Sequence, residues 1–114
     1  MRVLFYQTSG GRSPVSDELD NLPIEASAHV YELLEGIDNH GFDAPRVIFR
    51  QIEGILWEIK MQLPHIGGYR IFYGTLEKET MLLLHAYAKK SQKAPKKELK
   101  TAWHRLFDAQ KRGL

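Results

Sequence analysis

A chain of 114 residues, 43% hydrophobic and 26% charged, carries enough apolar material for one buried core and is sized for a single domain, 1–114. The absence of cysteine excludes a disulfide framework and any thiolate metal site. No apolar run approaches the length of a membrane span and MRVLFYQTSGGR lacks a signal peptide's apolar stretch, so a cytosolic protein is expected.

RVLFYQ (2–7) is rich in β-branched and aromatic residues and stops at TSGG, which predicts a strand and a turn. Ser13-Pro14 and Leu22-Pro23 each place a proline where a first helical turn tolerates one. They predict a short helix over 14–20 and a longer one over 23–39, the latter with Ala26, Val30, Leu33, Leu34 and Ile37 at helical spacing. ILWEIKMQL (55–63) alternates, with Trp57, Ile59, Met61 and Leu63 on one face and Glu58, Lys60 and Gln62 on the other. GYRIFYGTL (68–76) and TMLLLHAYA (80–88) read as two more strands, joined across EKET into an antiparallel meander. Pro95 opens a last helix whose inward stripe is Leu99, Ala102, Trp103, Leu106 and Phe107. The order β-α-α-β-β-β-α predicts an α+β domain, a small antiparallel sheet with its helices on one side and the other side open.

The net charge of +2 divides unevenly. Residues 1–45 hold two basic and eight acidic groups, residues 46–114 fourteen basic and six acidic. A basic half in a small domain points to a polyanion, of which nucleic acid is the commonest. Strand parity sends Lys60, Arg70, His85 and Tyr87 toward the open side, subject to a one-residue bulge that would swap the sets. Lys89, Lys90, Lys93, Lys96, Lys97 and Lys100 follow within twelve residues. Cations hold phosphate and aromatic faces stack on unpaired bases, so this group suits RNA. It also suits metal-free RNA cleavage, which needs a base for the 2′-hydroxyl, cations for the charge on phosphorus and an acid for the leaving oxygen. The blander readings are a pairing of Arg70 with Glu58, a half-buried His85 bonded to a backbone group, and Trp57, Tyr73 and Trp103 as core. The five histidines show no metal-ligand spacing, and no metal or cofactor is expected.

Three pieces in order, GILWEIK, GYRIFYG and LLLHAYAKKSQKAP, resemble the RelE/ParE superfamily of toxin–antitoxin toxins and its HigB-like, phage-related branch. The resemblance implies a RelE-like fold and a toxin that enters the ribosomal A site and cleaves mRNA by 2′-hydroxyl attack. It implies as partners the ribosome, mRNA and a cognate antitoxin, HigA-like with a helix-turn-helix. Carried over by motif, Arg70 would face the scissile phosphate, Lys60 would act as base or phosphate contact, and Lys90 would offset transition-state charge. RelE has a tyrosine in the first turn of the last helix where this chain has Lys96, which leaves Tyr87 or His85 to fill that role. A ParE-like gyrase inhibitor and an inactive fold relative binding antitoxin or RNA are the alternatives.

Overall fold

A computed structural model describes every residue except Lys78, Gln92 and Leu114. The turn expected across EKET includes Lys78 and so lies partly outside the described residues. Five strands and three α-helices follow in chain order: β1 (Arg2–Phe5), α1 (Pro14–Asp20), α2 (Ile24–His40), β2 (Ile48–Glu53), β3 (Leu56–Leu63), β4 (Gly67–Glu77), β5 (Thr80–Ala88) and α3 (Lys96–Lys111). A 3-10 turn, Gly41–Asp43, follows α2. No helix among the described residues is long and apolar enough to cross a membrane.

The α+β class holds, with two differences from the expected sheet. Its order is β1-β5-β4-β3-β2, and β1 runs parallel to β5 while the other pairs are antiparallel, so the sheet is mixed. The added strand is β2, IFRQIE, whose polar residues break the alternation that marks a half-buried strand. Pairing with β3 on one side overrides that weak local pattern.

Helices cover both faces, not one. Val15 and Leu19 of α1 and Val30, Leu33 and Ile37 of α2 pack on Ile59, Ile71, Tyr73 and Leu83, the larger core. Ala102, Leu106 and Ala109 of α3 pack on Leu56, Phe72, Leu82 and Leu84 across the sheet. The second contact is close: a Cβ on Gly74 would stand 2.7 Å from Leu106 Cδ1. Near its C-terminus α3 is tied to β1's end of the sheet, where Tyr6 Oη donates to Asp108 Oδ2 at 2.6 Å and Arg112 donates to Asp108 and to the Gln7 carbonyl. That hydrogen bond holds the Asp108 carboxyl below its usual range, while burial, then Asp108, pushes the Tyr6 phenol up. One short helix over β5 and β4 leaves part of this face of β3 and β2 without a lid.

Candidate phosphate-binding cleft

Register determines what shares the uncovered area. Lys60 of β3 lies opposite Arg70 of β4, and Arg70 lies opposite Tyr87 of β5. One row along, Arg50 of β2 faces Glu58 of β3, and Glu58 faces Phe72. The expected parity of β3 and β4 is therefore as read. On β5 a bulge intervenes: Phe72 pairs with His85 and Tyr73 with Leu83, which leaves Leu84 as the extra residue. Leu82, Leu84 and Tyr87 consequently belong to the α3 side and Leu83 to the α1/α2 side, so the set expected to contain Leu83, His85 and Tyr87 is split.

Arg50, Glu58, Lys60, Arg70, Tyr87, Ser91, Lys93 and Ala94 line one cleft. Four cations thus surround one carboxylate. Glu58 is only 1% exposed, and a buried carboxylate persists when charge and hydrogen bonds offset its lost hydration. Its Oε2 accepts from Tyr87 Oη at 3.3 Å. Its Oε1 lies 3.1 Å from Arg50 Nη2 and 3.8 Å from Arg70 Nε, yet accepts no hydrogen bond from the described residues. The Arg70–Glu58 pairing anticipated from the sequence is therefore a long, diagonal ion pair, and Arg50 is the nearer partner. Arg70 is 7% exposed and donates from Nη1 to its neighbour's carbonyl, Tyr69 O, at 3.2 Å. Burial, reinforced by Glu58, pushes the Tyr87 phenol up from its ordinary value, and its hydroxyl is spent as a donor to Glu58.

A neighbouring cleft shares Lys60 and Arg70 and adds Arg46, Gln62 and Lys89. Of the residues expected in the site, the structure brings together Lys60, Arg70, Tyr87, Lys89 and Lys93. Lys90, Lys96, Lys97 and Lys100 are exposed and line neither cleft. His85 stacks on Tyr87 with ring centroids 6.1 Å apart, but its nitrogens turn to α3. Nδ1 stands 3.2 Å from Arg105 Nη1, and because a guanidinium only donates, Nδ1 must accept. The proton is then on Nε2, which donates to Glu98 Oε1 at 3.1 Å. Arg105 also donates to the Leu84 carbonyl at 2.8 Å, so the cluster clamps the first half of α3 to the bulge. His85 is half-buried as the blander reading had it, but both its nitrogens are occupied by side chains, Glu98 and Arg105, and not by a backbone group.

Four residues of the cleft were missing from the sequence-derived site: Ser91, Ala94 and two charged ones, Arg50 and Glu58. Arg50 lay in a segment without a recognised strand. Glu58 carried a usable signal, a lone acid between the apolar Trp57 and Ile59 on the strand face that also presents Lys60.

The model of the family of phage-derived Gp49-like proteins, DUF891, matches residues 17–106, which include β2–β5, both lined clefts and most of α3. The chain belongs to this family. No curated protein matches it. The match corrects the resemblance drawn from GILWEIK, GYRIFYG and LLLHAYAKKSQKAP: the family identified is the Gp49-like one, not the RelE/ParE superfamily or its HigB branch. The toxin role and the ribosome-dependent mRNA interferase activity implied by that resemblance fall with it. The misreading has a physical source. Alternating strands with W-E, Y-R and L-H at their centres and a basic segment before a helix describe a sheet with a cationic face, which is less than a family.

Proposed function

We propose that this Gp49-like chain binds the phosphodiester backbone of single-stranded RNA, in the cytoplasm, through the cleft on the α3 side of the sheet. One observation carries the reading. Lys60 and Arg70 stand directly opposite each other on adjacent strands, a like-charge pair that costs stability in a sheet. Arg50 and Lys93 converge on the same cleft, and among the described residues Glu58 is the one acid lining it. Cations concentrated against their own repulsion favour an anionic ligand, and phosphates spaced along a strand reach several at once. The same arrangement accepts the backbone of other nucleic acids less well only where the groove excludes a duplex; single strands bend into a shallow cleft.

The test is fluorescence anisotropy with a labelled 12-nucleotide single-stranded RNA across a salt series. Four phosphate contacts give a slope of log affinity against log salt of about −3, at about 0.7 per contact for a single strand. Lys60→Ala and Lys93→Ala each reduce that slope by about 0.7, and because neither side chain is buried the fold is unaffected. Salt-independent binding, or slopes unchanged in both variants, overturns the reading.

A further inference from the structure

α3 was expected to bury Trp103 and Phe107 together; it does not. Phe107 is 58% exposed and Trp103 is half-buried, and their rings stack at a centroid distance of 5.4 Å and an interplanar angle of 25°. They sit on a stripe of α3 at i, i+4, i+7, i+11 and i+15 with Lys96, Lys100 and Lys111, and all three lysines are exposed. That spacing holds the five side chains to one side of the helix. No acidic residue shares the stripe, and Asp108, the nearest by sequence, is turned to Tyr6 and Arg112.

We infer that the Trp103–Phe107 pair is a stacking platform for unpaired bases of the RNA whose backbone occupies the cleft. The inference rests on the RNA-binding reading above and adds how that RNA is distinguished from other polyanions. An open aromatic face with ammonium groups before and after it complements a chain that alternates phosphates with flat π-systems. A protein partner seeking an apolar patch would gain little from three lysines around it, and a base-free polyanion would leave the rings in water. Continuity supports the same occupant. Lys93 and Ala94 line the cleft and lead directly into α3, and Trp103 packs in the same cluster as Ala94 and Leu99. At about 1.5 Å per residue, Trp103 and Phe107 lie about 10 and 16 Å along the helix from Lys96. That is the span of roughly three to five nucleotides at about 3.4 Å each.

The test compares the labelled 12-nucleotide RNA with the same RNA annealed to its complement, whose base faces are closed. Phe107→Ala weakens single-strand binding about tenfold, since one stacked base contributes about 1–3 kcal/mol. It changes duplex binding less than twofold and leaves the salt slope as in wild type, because no cation is lost. Phe107→Trp restores single-strand binding. As a direct readout, single-stranded RNA quenches tryptophan fluorescence in a Trp57→Phe variant, in which Trp103 is the remaining tryptophan. Equal binding of single strand by Phe107→Ala and wild type, or no quenching of Trp103, overturns the platform while the cleft stands. Failure of wild-type protein to bind the RNA overturns both.

Discussion

The two faces of one sheet have been built to different ends by the same three strands. Toward α1 and α2, Ile59, Ile71, Tyr73 and Leu83 are wholly buried, and two helices close the face. Toward α3, Leu56, Phe72, Leu82 and Leu84 are buried as well, but two residues further along β3 and β4 the same face turns charged at Glu58, Lys60 and Arg70. The single helix on this face packs over β5 and β4, and the clamp of Glu98, His85 and Arg105 fixes it there. The lesson is that the site is what one helix, seated over β5 and β4, leaves uncovered. Its charges are held by strand register, with little freedom to rearrange, which suits a ligand of fixed charge spacing.

The comparison breaks most visibly on stability. Ile71→Ala on the closed face removes a fully buried side chain with two helices packed over it, and a loss of about 2–5 kcal/mol is expected from urea midpoints, with RNA affinity of the surviving folded protein unchanged. On the α3 face, Gly74→Ala forces Leu106 to move and costs about 1–3 kcal/mol, since the clash is with the end of a flexible side chain. Glu58→Gln keeps the shape but leaves Arg50 and Arg70 without their carboxylate; about 1–3 kcal/mol is expected, with RNA bound more tightly because the cleft loses its negative charge. A loss of RNA affinity in Glu58→Gln would show that Glu58 orients the arginines more than it neutralises them.

Alkaline titration sharpens the same contrast. Burial pushes the phenols of Tyr69 and Tyr73 on the closed face far above 10, and that of Tyr87 on the open face likewise. A group whose folded value is raised contributes its stability below the unfolded value and loses it as pH rises beyond, because the unfolded chain ionises first. The contribution of these phenols is therefore constant up to about pH 10, the ordinary tyrosine value, and falls above it. Tyr73→Phe makes that fall shallower; an unchanged slope would mean the phenol is hydrated in the folded state. The smallest effect is at the surface, where Arg46 Nη2 lies 3.2 Å from Glu32 Oε1 with both side chains largely exposed. Arg46→Ala should shift stability by about 0–1 kcal/mol.

Local pattern was enough for much of this architecture. Prolines at 14 and 23, helical spacing from Ala26 to Ile37 and alternation from Trp57 to Leu63 placed α1, α2 and β3 within a residue or two, since each pattern reports burial of one face. It also put Lys60 and Arg70 on one surface, because adjacent antiparallel strands joined by a short turn have little choice of register. Three things were decided only in three dimensions. The parallel seat of β1 beside β5 depends on contacts across almost eighty residues of chain, which no window of sequence contains. The bulge at Leu84 reassigned β5's faces, and a bulge has no strong mark inside a run such as Met81 to Leu84, where residues of both faces are apolar. Arg50 reached the cleft through β2, a strand whose polar sequence becomes a strand only beside β3. Period and charge are properties of neighbours along the chain; which charges share a cleft, and which aromatics are left uncovered on α3, are properties of where helices stop.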